Sequence, residues 1–332
     1  MTILITGAAG FIGYHTVKHY CEHGEAVIGL DNLNDYYSTD LKKARLETLS
    51  NFKNFKFIEV DFADKAALDL AIDTKKISHI IHLGAQAGVR YSLKHPEAYV
   101  NSNLIGHSNI LELARSADNL EHLIYASSSS VYGGNTKQPF AESDPVNLPV
   151  SLYAATKRSN ELMSQSYAHL YGVPQTGMRL FTVYGPWGRP DMAPWLFTDA
   201  IINDRPIRVF NHGDMARDFT YIDDIIDGIT RIVKTPPKAG NASNYEGGTA
   251  PHKLYNIGNN KPETLLYFIT CLENAIGKKA IKKFEDLQNG DLKETTADID
   301  MLQHDTGFAP TTDLQNGLNK FVMWFKDYHG LT

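Results

Sequence analysis

The sequence predicts an α/β protein, a doubly wound parallel sheet followed by a smaller C-terminal α+β lobe. Three observations carry this. Short apolar runs alternate with helix-length segments up to Leu180, the pattern of a parallel sheet covered by helices on both faces. Glycines follow the first run at a spacing of three, as Gly7, Gly10 and Gly13. After Leu180 the character changes, with Gly, Pro and aromatic residues crowded into positions 183–194.

The bulk properties set limits. The 332 residues suit two domains, expected at 1–180 and 181–332, with some later segments returning to the first. A hydrophobic content of 42% is ample for a core. The net charge is −6 and there is no dense basic stretch, so nucleic acid is not an expected partner. No apolar run is long enough to span a membrane, and the chain opens on a strand without a signal-peptide pattern. Cys21 and Cys271 lie far apart without metal-ligand spacing, as ordinary thiols of a cytoplasmic protein do. Asn241-Ala-Ser243 matches a glycosylation acceptor, which has little meaning in that compartment.

The elements follow in order. Thr2–Thr6 reads as a buried strand, and a helix runs from Phe11 to about His23. The three glycines between and within them permit a tight turn, close approach of backbone to a pyrophosphate, and close packing of helix on strand. The helix aims its free N–H groups and positive dipole end at the phosphates. The second strand, residues 26–30, ends at Asp31. A carboxylate there holds ribose hydroxyls and repels a 2′-phosphate, which favours NAD over NADP and makes the sheet Rossmann-type. Asn32 and Asn34 follow in the same strand-end segment. Further strands are expected at 56–60, 79–83, 122–126 and 175–180, with helices at 40–50, 65–74, 97–117 and 151–171.

In such sheets ligands bind at the carboxyl ends of the strands. Asp61 and Phe62 then lie near the adenine, unless Asp61 is simply a strand-end cap. Leu83, Gly84, Ala85 and Gln86 include small residues where backbone can pass close to the cofactor. The 97–117 helix is mostly packing, with Ser102 and Asn103 as its plausible contacts. Residues 235–253 form a polar, Pro- and Gly-rich loop.

The chemistry-bearing pattern is Tyr153-Ala-Ala-Thr-Lys157, which puts a phenol and an ammonium one helical turn apart on one face. A free tyrosine has a pKa of about 10, too high for a base at neutral pH. A nearby cation lowers it, and an oxidised nicotinamide adds to that effect. The pair is then a general base for an alcohol or sugar hydroxyl. Tyr14 and Lys18 share the spacing but sit in the phosphate helix, where packing and solvent account for them. Four serines, Ser127 to Ser130, end the fifth strand. Either they form a polar turn, or at least one bonds a substrate oxygen and relays its proton.

Together GxxGxxG, the strand-end serines and YxxxK resemble the extended short-chain dehydrogenase/reductase superfamily. Within it the chain looks like the nucleotide-sugar 4-epimerases, the UDP-glucuronate branch most closely. The resemblance covers essentially the whole chain. It is carried by the segments at residues 31–37, 82–92, 127–133, 153–157, 179–186, 188–193, 210–213 and 290–292. It implies reversible C4 epimerisation of a UDP-hexuronate, UDP-glucuronate to UDP-galacturonate, through a transient 4-keto sugar with tightly bound NAD. Such an isomerase would serve polysaccharide biosynthesis. By the same resemblance Tyr153 is the base and Lys157 holds the nicotinamide ribose. Ser128, 25 residues before Tyr153, bonds the sugar O4, with Ser129 as the alternative. Phe11 and Ile12 present backbone N–H groups to the pyrophosphate, and Phe181 lies near the nicotinamide. Arg217 pairs with the UDP diphosphate, unless it is a surface partner of Asp218 or Asp214. Asp291 takes the uridine ribose, and Gln288 stands where many relatives have a second arginine.

Thr182 and Arg189 follow the sixth strand, where the sugar C6 should sit. A hydroxyl and a guanidinium there suit a carboxylate, unless Arg189 stacks on Trp187 or Trp195. The serine motif holds no acidic residue before Glu142. Related dehydratases and decarboxylases typically carry one, so epimerisation is favoured over UDP-glucuronate decarboxylation. Thr295 is small where bulk limits larger sugars, which keeps UDP-glucose and UDP-N-acetylhexosamine as alternative substrates. A silent NAD-binding regulator is the other class, but it would be expected to lack part of Ser/Tyr/Lys. Relatives commonly pair two helices per subunit into a four-helix bundle, so a homodimer through 97–117 and 151–171 is expected.

Overall fold

The computed structural model describes residues 1–240, 248–287 and 292–331. Its centre is a parallel sheet of seven strands. These are β1 (Thr2–Thr6), β2 (Ala26–Asp31), β3 (Phe55–Glu59), β4 (His79–His82), β5 (His122–Ser128), β6 (Gln175–Leu180) and, later in the chain, β10 (His252–Ile257). Their spatial order is β10-β6-β5-β4-β1-β2-β3. Chain order reverses beside β1, which pairs with β2 on one side and β4 on the other. A crevice therefore opens at the carboxyl ends of β1 and β4.

The apolar runs explain the layering. Successive side chains of a strand point to opposite faces. Ile3, Ile5, Ile81, Ile124, Met178 and Ile257 join one buried cluster, and Leu4, Leu30, Ile80 and Leu123 join the other. Helices α1 (Phe11–Glu22), α2 (Thr39–Leu49), α3 (Lys65–Ala71), α4 (Pro96–Tyr99), α5 (Gly106–Arg115) and α6 (Leu152–Tyr171) connect the first six strands.

One expectation is corrected. The single helix read over 97–117 is broken by a π-helical stretch, Val100–Ile105, between α4 and α5. A Cβ on Gly106 would stand 2.4 Å from the Phe62 ring, so the helix passes that ring closely. The π stretch carries Asn103, which bonds Gln86 in the loop after β4, in keeping with π-bulges near functional sites. A seventh strand joins the sheet from beyond Leu180. β10 pairs in parallel with β6 from His252↔Gln175 to Ile257↔Leu180, so the chain returns to the sheet after Leu180.

The smaller lobe is built around β9 (Ala216–Tyr221). It pairs with β7 (Thr182–Tyr184), β11 (Pro262–Thr264) and β13 (Glu294–Thr295). A second ribbon joins β8 (Ile207–Phe210) to β12 (Lys282–Glu285). Helices α7 (Ala193–Ile202), α8 (Ile222–Val233), α9 (Leu265–Ile276), α10 (Asp300–Thr306) and α11 (Leu314–Tyr328) complete the chain. Among the described residues no helix is long and apolar enough to cross a membrane.

Candidate active site

The strand ends open onto one cleft of about 500 Å³, lined from both the sheet and the smaller lobe. At one end lies the glycine turn. Gly7 adopts φ +71°, a left-handed conformation that glycine takes without strain. Gly10 caps α1, and no side chain caps it with it. The first helical bond runs from Tyr14 N–H to Gly10 O. The amides of Phe11, Ile12 and Gly13 therefore lie in the first turn, where α-helical bonding supplies no acceptor, at the positive end of the helix dipole. A Cβ on Gly13 would stand 1.9 Å from Gly7 O, so helix and turn approach as only glycine permits. An uncapped helix start faced by glycine backbone fits a pyrophosphate.

Asp31 is buried at the end of β2 and accepts from Ala9 N–H at 3.1 Å and Leu33 N–H at 2.9 Å. Burial raises its carboxyl above the ordinary range, while Lys42 opposes that shift. Lys42, which sequence reasoning missed, lines the cleft. It donates to Asn34 O and Asn34 Oδ1 at 2.7 and 2.9 Å, with its ammonium 4.0 Å from Asp31. Asn32, Asn34, Phe62, Leu83, Gly84, Ala85, Gln86 and Ser102 also line the cleft. Asp61 does not. Its carboxylate accepts from Asn32 Nδ2 at 3.1 Å and Ala63 N–H at 2.8 Å, and so holds the cleft-lining Asn32 in place. Asn103 is likewise a strap, bonding Gln86 N–H and O at 2.8 and 3.0 Å.

Farther along the cleft lie Ser128, Ser129, Tyr153 and Lys157. β5 delivers the serines, and α6 carries Tyr153 and Lys157. Burial raises the Tyr153 phenol above its ordinary value. A hydrogen bond with Ser128 and the charge of Arg189 act in the opposite direction. Arg189 is thus a cation beside Tyr153 that the sequence pattern, which pointed to Lys157, did not bring out. The Lys157 ammonium donates to Ala126 O at 2.8 Å, and burial lowers its pKa to about 8 against the pull of Glu161. Glu161 is fully buried, with Arg179 at 2.8 Å and Ser127 Oγ at 2.7 Å. Behind the strand ends, burial pushes Glu142 to about 7. It accepts from Asn256 N–H at 2.7 Å and is not among the cleft-lining residues.

Phe181, Thr182, Arg189 and Arg217 enter from the smaller-lobe side. Arg189 does not stack on a tryptophan. Its Nε and Nη2 donate to Asp191 at 2.9 and 2.6 Å, and Tyr36 OH donates to the same carboxylate at 2.9 Å. Arg217 donates to the carbonyls of Ala216, Leu292 and Lys293. The two aspartates weighed as its surface partners are engaged elsewhere. Asp218 accepts from three backbone N–H groups, and Asp214 pairs with Lys293. Thr295 pairs across from Arg217 in β13. Gln288 and Asp291 lie outside the described residues, as does the glycosylation acceptor at Asn241.

The model of the NAD dependent epimerase/dehydratase family matches residues 3–258. Protein CapI of Staphylococcus aureus is 51% identical over 99% of each chain. A probable UDP-glucuronate 4-epimerase of Rhizobium meliloti (strain 1021) is 47% identical over 98% of this chain and 97% of its own. The crystal structure of UDP-glucuronic acid 4-epimerase from Bacillus cereus, in complex with UDP-glucuronic acid and NAD, superposes with a TM-score of 0.87. That pair is 32% identical and covers 99% of this chain and 100% of the other.

Proposed function

Since the chain belongs to the NAD dependent epimerase/dehydratase family, we propose that it interconverts UDP-glucuronate and UDP-galacturonate by inverting C4. The observation that carries this reading is the juxtaposition of Ser128 with Tyr153 in one cleft, with Arg189 acting on the same phenol. NAD, when bound, would supply a reversible hydride acceptor for the sugar C4. The glycine turn and the amides of Phe11 and Ile12 hold its pyrophosphate, and Asp31 takes its adenosine ribose. Tyr153 Oη removes the O4 proton as the ketone forms and returns it as the ketone is reduced, Ser128 Oγ orients O4, and Lys157 holds the nicotinamide ribose. The transient 4-keto sugar turns over in the site while its UDP stays anchored. Arg217 serves the diphosphate, and Thr182 and Arg189 serve the C6 carboxylate. Asp191 engages Nε and Nη2 of Arg189, which leaves the Nη1 hydrogens for a second carboxylate. Gln288 and Asp291 are assigned to UDP on sequence grounds. The position of Glu142 outside the cleft supports epimerisation over decarboxylation.

The purified protein, incubated with UDP-glucuronate and no added NAD, is expected to yield a product of unchanged mass that elutes as UDP-galacturonate. A product lighter by carbon dioxide would reassign the chain as a decarboxylase. Turnover of UDP-glucose or UDP-N-acetylglucosamine alone would remove the carboxylate role of Arg189.

The active species is a homodimer in the cytoplasm on this reading. Large apolar side chains stand exposed beside the expected interface, with Val100 41%, Ile105 48% and Leu162 53% accessible. Exposed apolar surface is a feature of association surfaces. Light scattering should give twice the 37.0 kDa chain mass, and I105E/L162E should reduce it to the single-chain value. A wild type at the single-chain mass would overturn the assembly.

A further inference from the structure

The turn that carries Arg189 is bonded to the dinucleotide-binding unit through three successive carbonyls. His15 Nε2, on α1, donates to Pro186 O at 2.9 Å. Arg45 Nη2, on α2, donates to Trp187 O at 2.5 Å and Gly188 O at 3.4 Å. Two residues beyond Arg189, Asp191 receives Tyr36 OH. Trp187 adopts φ +63°, a conformation disfavoured for a bulky residue, so its neighbours must hold the turn in place.

Arg45 is fully buried. Its other amine, Nη1, donates to Ala9 O at 2.8 Å and to Tyr37 OH at 2.7 Å. The N–H of the same Ala9 donates to Asp31. The residue preceding Gly10 is therefore gripped by a carboxylate on one side and a guanidinium on the other. Arg45 Nε has no partner among the described residues. An unpaired buried N–H costs about 1–3 kcal/mol, yet this side chain keeps it while its two amines serve the glycine turn, the loop after β2 and the turn before Arg189.

We propose that Arg45 is a positioning residue that fixes the Arg189 turn to the dinucleotide cradle, so that carboxylate recognition and cofactor retention share one side chain. The sugar half of this proposal rests on the reading of Arg189 as the carboxylate-binding group. Only a planar fork with five N–H donors can bridge acceptors on three segments, and an ammonium reaches fewer of them. A displacement of about 1 Å at a site like Arg189 is worth up to about a hundredfold.

The test uses the holoenzyme, with R45K and H15F as variants. The readouts are calorimetric affinities for UDP-glucuronate, UDP-glucose and UDP, and NAD content after gel filtration. R45K is expected to weaken UDP-glucuronate about tenfold, leave UDP within about twofold, and lose bound NAD. H15F removes one of the bonds from a half-buried position and should shift the sugar preference in the same direction by less. It keeps the proposal testable if R45K does not fold. A wild type with no preference for UDP-glucuronate over UDP-glucose overturns the Arg189 reading. A wild type with that preference, and variants unchanged in both preference and NAD content, overturns the Arg45 proposal alone. So does an equal loss of affinity for UDP and UDP-glucuronate, which would mean general damage to the cleft.

Discussion

Replacing Tyr153 with phenylalanine is expected to lower kcat about a thousandfold while the protein stays folded and retains NAD, the scale of a lost general base. The change removes one oxygen from a half-buried ring that lies beside Ser128 and 6.0 Å from the Tyr99 ring, so packing survives. The pH dependence has a definite sign. The base is the phenolate, whose fraction grows tenfold per pH unit below its pKa. Burial raises that pKa, and Ser128 and Arg189 pull it down. Removing the charge in R189M should therefore raise it and move the rising limb of kcat to higher pH, besides weakening UDP-glucuronate binding. S128A should move the limb the same way with binding of UDP intact. Turnover by Y153F at the wild-type rate would contradict the assignment of Tyr153 as base, and a limb unmoved in R189M would contradict the action of Arg189 on its phenol.

What was legible in the sequence was what local physics decides. Ile3, Leu4 and Ile5 form a continuous apolar run that fills both faces of β1, and Gly7, Gly10 and Gly13 leave few conformations besides a tight turn into a helix. Those features placed the cradle without any long-range knowledge. β10 was illegible because its polar residues find distant partners. His252 bonds Tyr125 OH at 2.8 Å, Asn256 bonds Tyr132 OH at 2.7 Å, and Lys253 pairs with Asp305. In sequence such a strand resembles a loop, because polar burial is repaid only by residues far along the chain. The bond from Asp61 to Asn32 was illegible for the same reason, since its partner lies 29 residues away. Lys42 was overlooked because a lysine in a polar helix reads as solvated, and only the fold turns it toward Asp31. Arg189 was overlooked as a cation beside Tyr153 because YxxxK proximity along a helix draws attention to Lys157, whereas Arg189 reaches the phenol from 36 residues farther along the chain.

Gly13→Ala is expected to have the second large effect, loss of the bound cofactor together with a fall of several degrees in Tm. The new Cβ would lie 1.9 Å from Gly7 O, 2.7 Å from Gly7 C and 3.2 Å from Ala8 Cα. All three are backbone atoms, so no side chain can rotate away. Gly7 cannot yield either, since a Cβ there would itself meet Gly84 N at 2.8 Å. The strain must then push α1 off β1. Tyr14, Val17 and Tyr20 anchor that helix in the core, and overpacking of this kind costs about 1–3 kcal/mol, which for a chain of this size is a shift of a few degrees or more. The same retreat carries the amides of Phe11 and Ile12 away from the pyrophosphate, so stability and NAD content should fall together. Gly10→Ala is the graded comparison, because its single close contact is Gly7 O at 2.9 Å, and its losses should be smaller on both measures. Thermal melts and chromatography of NAD released from the denatured variants decide the matter. A Gly13→Ala protein with full NAD content and unchanged Tm would mean that close helix approach is not what forms the cradle.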